Sequence, residues 1–149
     1  MECIGGSGAM EDSIMPRLFR ESPVNAIWEG SGNVQCLDVL RAVGKEPGVM
    51  DAFLDEIESA RGADRRFDAY VDRLRGDLGD MEDIAYRARD VVERMALAMQ
   101  GSLLLRGGSA AVADAFCAGR LEPRDSVQFG GLPRGVDAAA IIDRATPVC

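Results

Sequence analysis

An all-α fold is predicted, from three features of the chain. From residue 32 onward, apolar side chains recur at intervals of three and four, the spacing of a helix with one buried face. No stretch alternates apolar and polar residues in the manner of a half-buried strand. Apolar residues form 47% of the composition and aromatics only 5%, so the core must be aliphatic, poor in strand-favouring Thr and Tyr. The expected architecture is a helical bundle with an irregular Gly/Pro-containing leading loop. It is read as a single helical domain over 1–149, with a motif segment at 1–46 and a helical extension at 47–149.

Residues 5–31 read as loop with at most short helical pieces, because Gly5, Gly6, Gly8, Pro16 and Pro23 interrupt them. Ser31 stands at an N-cap position for a helix over 32–43. Val34, Leu37, Leu40 and Val43 form its apolar side, and Gly44 sits where a C′ glycine belongs. Pro47 is expected to open the next helix, with Val49, Phe53, Leu54 and Ile57 inward and Gly62 closing it. A third helix over 64–78 carries Phe67, Tyr70, Val71, Leu74 and Leu78 on one stripe. The longest is expected over 80–105, with Ile84, Ala88, Val91, Val92, Met95, Met99 and Leu103 at helical spacing; its Met and Leu stripe reads as core. Gly107 and Gly108 stop it, Ser109 restarts a short helix through Phe116 and Cys117, and 137–145 form a last brief one.

Composition excludes several kinds of chemistry. The chain has no histidine, so Ser-His and Cys-His nucleophiles are ruled out within it, and any acid–base work falls to carboxylates. Cys3, Cys36, Cys117 and Cys149 are scattered without a CxxC pair, so no metal site is expected and the thiols read as buried small hydrophobes or idle groups. A reducing cytoplasmic setting fits that usage. No apolar run approaches the ~20 residues of a membrane span, and the amino terminus lacks the pattern of a signal peptide. A net charge of −8 disfavours nucleic acid as a partner. Arg61, Arg65, Arg66, Arg73 and Arg75 are interleaved with Asp64, Asp68 and Asp72, which reads as a salt-bridged helix face.

The functional signal lies in the leading stretch. Gly5, Gly6 and Gly8 suit either a tight turn or close approach of the backbone to a ligand's phosphates. Glu29, beside Trp28, suits either a favourable interaction with the following helix dipole or a carboxylate tuned by an apolar wall. Ser31, Gly32 and Asn33 open the helix, where free amides meet anionic or carbonyl groups.

This stretch resembles the carboxy-terminal domain of the acyl-CoA dehydrogenases, whose pattern runs Gly-Gly-x-Gly-Tyr, Arg-Asp or Arg-Glu, then Ile-Tyr/Trp-Glu-Gly-Thr/Ser. Here it reads Gly5-Gly6-Ser7-Gly8-Ala9, Arg20-Glu21 and Ile27-Trp28-Glu29-Gly30-Ser31, in the same order and at similar spacing. The run from Pro16 to Arg41 and the later helices resemble the AidB-like, alkylation-response branch, so the similarity covers nearly the whole chain. The resemblance implies α,β-dehydrogenation of an acyl-CoA thioester with FAD as acceptor. It places the catalytic base at Glu29, cofactor contacts at Gly5, Gly6, Gly8, Ser31 and Asn33, and a DNA-contacting basic position at Arg41. Ala9 departs from the pattern by replacing the usual tyrosine. The family's amino-terminal helical and middle β domains have no counterpart here, so the chain is expected to be part of a longer oligomeric flavoprotein. Alone it is expected to be inactive and not to retain FAD. Two alternatives are an interaction module docking on a partner that carries those domains, and a DNA-associated domain, which the net charge disfavours.

Overall fold

The computed structural model describes residues 1–46, 48–123, 128 and 130–148, and it is all-helical among them. Pro47 and Cys149, both named above, lie outside the described residues. The helices are α1 Met15–Glu21, α2 Gly32–Lys45, α3 Gly48–Glu58, α4 Arg65–Gly79, α5 Ala88–Gly107, α6 Ala110–Phe116 and α7 Ala138–Ala145. Short 3₁₀ elements at Glu2–Ala9 and Ser22–Ala26 flank α1, and a π-helical turn, Cys117–Leu121, follows α6. The leading stretch is thus more helical than its glycines and prolines suggest. Pro16 explains part of this, because it falls in the first turn of α1, where its missing N–H costs nothing.

The bundle is organised around α5, which packs against α2, α3, α4 and α6. From α4 come Phe67, Tyr70, Val71 and Leu74, all buried as their spacing implies; Ile57 of α3 and Leu121 of the π-helical turn complete the centre. The buried face of α5 departs from expectation. Val91, Met95, Ala98, Gly101 and Ser102 face inward, Val92 and Met99 are only half-buried, and Leu103 is 53% exposed. Small residues carry the contact because Phe67 fills the space they leave. A Cβ added at Gly101 would lie 3.1 Å from the Phe67 ring and 3.3 Å from Leu121 Cδ1. The one buried polar side chain among the described residues, Ser102, donates its hydroxyl to the Glu56 carbonyl at 3.1 Å and so ties α5 to α3.

Two boundaries and one helix face differ from the sequence reading. The second helix runs through Gly44 to Lys45, and Glu46 leaves it in an extended conformation (φ −127°, ψ 95°). The residue before a proline is pushed out of the helical region, so Pro47 rather than Gly44 sets the end. On the same helix Val34 and Leu37 are exposed, and Val39 packs against the core instead. Residues 80–87 form turns, not the first turns of α5. Asp83 has φ 50°, and Arg87 donates to the carbonyls of Asp80 at 2.6 Å and Glu82 at 3.0 Å, satisfying groups that a helix would pair along its axis. Ile84 still reaches the core, which is why its spacing looked helical.

Asp64 and Asp137 cap α4 and α7: Asp64 accepts from the Arg66 amide at 2.7 Å and Asp137 from the Ala140 amide at 3.0 Å. Gly62, at φ 87°, turns the chain after α3. The arginine-rich stretch is a paired surface as expected. Arg61 bridges Glu58 and Asp72, Arg75 also reaches Glu58 at 2.8 Å, and Arg66 joins Asp64 to Asp114. The Arg61 side chain beside it, helped by Arg75, holds the Glu58 carboxyl down from 4.5 to about 2, against the opposing effect of partial burial. Burial pushes the Cys117 thiol up to about 11, so it stays protonated in the core.

Two outcomes follow. Phe67→Ala should lower the unfolding free energy by about 3–5 kcal/mol in urea titration; a loss below about 1 kcal/mol would show that α4 and α5 are held by something else. A carboxyl whose pKa falls on folding adds stability above its unfolded value and loses it as pH drops through the folded one. Wild-type stability should therefore decline between pH 4.5 and about 2, and Glu58→Gln should flatten that decline in acid titrations followed by circular dichroism.

Candidate functional site

The residues singled out from the sequence fall into two groups. Glu29, Ser31 and Asn33 sit within one turn at the start of α2. Gly5, Gly6 and Gly8 belong to the separate 3₁₀ element Glu2–Ala9, which packs on α1. Gly5, at φ 70°, breaks that element; an added Cβ at Gly5 or Gly6 would meet nothing within 4 Å, so their backbone is open to approach. Gly8 differs. It is buried, with Met1 Cγ and the Met1 carbonyl 3.2 Å from an added Cβ, so its lack of side chain serves its own turn.

The backbone leading into α2 is unusual. Glu29 has φ 63° and Gly30 φ 122°, two successive residues outside the region that side chains favour. Glycine adopts this freely, but for glutamate the left-handed conformation costs about 1–2 kcal/mol. The turn is held by the Gly30 amide donating to Ile27 at 3.3 Å and the Trp28 amide donating to Val24 at 3.0 Å. The Gln35 side-chain amide donates to the Gly30 carbonyl at 3.0 Å. Strain of this kind persists where the surroundings over-determine it, and it clusters at functional sites.

Ser31 occupies the N-cap position (φ −65°, ψ 158°), but its hydroxyl makes no capping bond. The Ser31 carbonyl accepts from the Gln35 amide, leaving the amides of Gly32, Asn33 and Val34 at the helix mouth without intrahelical acceptors. The Asn33 side-chain oxygen is engaged by Arg89, whose Nη1 donates to it at 3.2 Å from the first turn of α5. Neither Arg89 nor Gln35 was singled out from the sequence. Gln35 was findable as a neighbour two residues beyond Asn33; Arg89 lies 56 residues away from Asn33 and is brought in only by packing of α2 on α5.

The apolar wall expected beside Glu29 is absent from this chain's own packing. Trp28 is 61% and Ile27 63% exposed, and Glu29 is exposed with them. The segment before α2 runs along the surface, which leaves the indole mostly in solvent. Arg41, on the third turn of α2, donates to Asp38 at 2.7 Å, so a carboxylate one turn earlier offsets its charge. Among the described residues no three His, Cys, Asp or Glu side chains converge as a metal site, and no helix is long and apolar enough to cross a membrane.

Comparison with known proteins bears on this same segment. Residues 1–44 match the model for the acyl-CoA dehydrogenase C-terminal domain. AidB of Escherichia coli (strain K12), an acyl-CoA dehydrogenase by name, is 41% identical over 129 residues, 87% of this chain and 24% of AidB. Most of the chain is thus similar to AidB, and its first 44 residues are similar to the acyl-CoA dehydrogenase C-terminal domain. Acyl-CoA dehydrogenase family member 11 of Caenorhabditis elegans is 44% identical over 62 residues, 42% of this chain and 10% of that protein. The chain therefore spans about a quarter of AidB and less of the nematode relative. The family match ends within α2, so α5 and its Arg89 lie outside it.

Relief of the strained backbone gives a direct check. Glu29→Gly should raise stability by about 0.5–1 kcal/mol, the left-handed cost removed less the added freedom of the unfolded chain. No gain in thermal or urea denaturation would mean that Glu29 does not hold this conformation in solution.

Proposed function

We propose that Glu29 is the acid–base group of an acyl-CoA dehydrogenase, working in a polypeptide that joins this chain to the further domains its relatives possess. The observation that carries this reading is the placement of Glu29: exposed, in a strained left-handed turn at the mouth of α2, inside the stretch matched to the family. The carboxylate would take the proton from the carbon α to the thioester carbonyl as the β-hydrogen departs with its electron pair, leaving a carbon–carbon double bond. FAD, when bound, supplies the acceptor for that hydride. The open backbone of Gly5 and Gly6 and the free amides at Gly32 and Asn33 suit a flat, phosphate-bearing group, and Ser31 adds an uncommitted hydroxyl. Gly8 is better accounted for by its own turn. Because Trp28 and Glu29 are both exposed here, the dry surroundings that proton abstraction favours would come from a covering domain.

A second reading is a module that docks on a separate partner carrying those domains. It is favoured by the apolar side chains left in solvent near the site: Ile27, Trp28 and Phe19 are 63, 61 and 59% exposed.

One experiment separates the two. An antibody raised against residues 80–105 is used to isolate the native polypeptide, which is sized and assayed for acyl-CoA oxidation. The dehydrogenase reading expects a band well above 16.0 kDa, with turnover that Glu29→Gln lowers at least about 100-fold while flavin absorbance persists. Full turnover in Glu29→Gln would overturn the role of Glu29. A band near 16.0 kDa, co-isolated with a flavoprotein partner, would establish docking instead.

A further inference from the structure

We propose that Arg89 is a positioning residue for the Glu29 turn, acting through Asn33. The proposal rests on the reading of Glu29 as the acid–base group, and it adds a role for a helix outside the stretch that the family model matches.

Three observations support it. The guanidinium lies across the start of α2: Nη1 donates to Asn33 Oδ1 at 3.2 Å, and a Cβ added at Gly32 would stand 3.0 Å from Nη1 and 3.3 Å from Cζ. Its root is fixed, because Ala88 and Val91 on the same turn of α5 are buried in the core. Its charge is not spent elsewhere: among the described residues Arg89 forms no ion pair, whereas its neighbours Arg87 and Arg94 do. The site is also a poor one for an arginine on stability grounds, since the mouth of a helix carries a partial positive charge that repels it. A cation held there by a single neutral oxygen is better explained by geometry than by stabilisation.

The geometry matters because the turn has few anchors. Glu29 and Gly30 are both at positive φ, and the Gln35 bond to Gly30 comes from α2 itself, so it cannot fix the helix mouth relative to the core. Arg89 supplies a link from a buried helix to Asn33, four residues beyond the carboxylate. A misplacement of about 1 Å at a reacting group can cost about 100-fold in rate, so a modest loosening here is enough to be seen.

The test uses Arg89→Ala, Arg89→Lys and Gly32→Ala. In the 149-residue protein, amide hydrogen exchange at Gly30–Gln35 should quicken about five- to tenfold in Arg89→Ala, as expected for loss of one net hydrogen bond, with the middle of α5 unchanged. Arg89→Lys should restore the wild-type rate, because one donor suffices for one acceptor. Gly32→Ala should mimic Arg89→Ala by displacing the guanidinium, and should have little further effect in its absence. In the native polypeptide, Arg89→Ala should lower kcat about tenfold with KM retained, and Arg89→Lys should rescue it. Unchanged exchange, failure of lysine to rescue, or faster exchange with unaltered kcat would each overturn the proposal. Full turnover in Glu29→Gln would instead remove the reading beneath it, and it is detected in that variant alone.

Discussion

The ring of Phe67 lies where α5 offers almost no side chain, and that close approach governs the rest of the molecule. Gly101, with Ala98 and Ser102 on the same face, lets α4 come near enough for Phe67 and Leu121 to share one space. Burying an aromatic side chain contributes on the order of 2–3 kcal/mol, more than the helix penalty of about 1 kcal/mol for a glycine in α5. Once α5 is seated, its first turn has only one rotation, fixed by Ala88 and Val91 inward. Arg89 is thereby aimed at the mouth of α2. A packing choice deep in the bundle thus reaches a carboxylate on the surface through one helix and one side chain.

Charge plays a different part from packing. Most ion pairs here lie on the surface, where each contributes little, about 0–1 kcal/mol. Those around Glu58 differ in being shared: one carboxylate takes Arg61 from the turn after α3 and Arg75 from α4. The Asp64 carboxylate similarly caps α4 by accepting from the Arg66 amide and binds the Arg66 guanidinium, which reaches on to Asp114 in α6. These networks lock helix ends together and set register more than they set total stability. Arg73 does the same by different means, donating to the Leu121 carbonyl at 3.0 Å with its guanidinium 5.6 Å from the centre of the Tyr70 ring.

The helical fold was legible because α4 writes its buried face in large residues: Phe67, Tyr70, Val71 and Leu74 announce themselves by spacing. The face of α5 was misread because its partners are small. Hydrophobic size pointed to Met99 and Leu103, whereas a glycine and a serine line the contact, and their value depends on what lies opposite. The break at 80–87 was equally hidden, since it rests on the Arg87 side chain serving two carbonyls, and periodicity does not register such bonds. At the site, the motif around Glu29 and the helix opening at Gly32 were both readable locally. Arg89 was not, because nothing in a linear chain ties it to Asn33 before α2 and α5 meet. Trp28 was misjudged for a related reason: a tryptophan beside a glutamate suggests burial, but only tertiary packing decides whether anything covers it.

That uncovered segment has a consequence for the colloidal behaviour of the protein. Near neutral pH the net charge of −8 opposes association through Phe19, Ile27 and Trp28, which face solvent. On acidification the repulsion vanishes near the isoelectric point of about 4.6, while Glu58 keeps its charge and its arginines until about 2. Near pH 4.6 the chain is uncharged on balance, retains the Glu58 pairs and exposes apolar side chains along its leading segment. Self-association of folded molecules is therefore favoured most near pH 4.6, well above the pH at which the Glu58 pairs are lost.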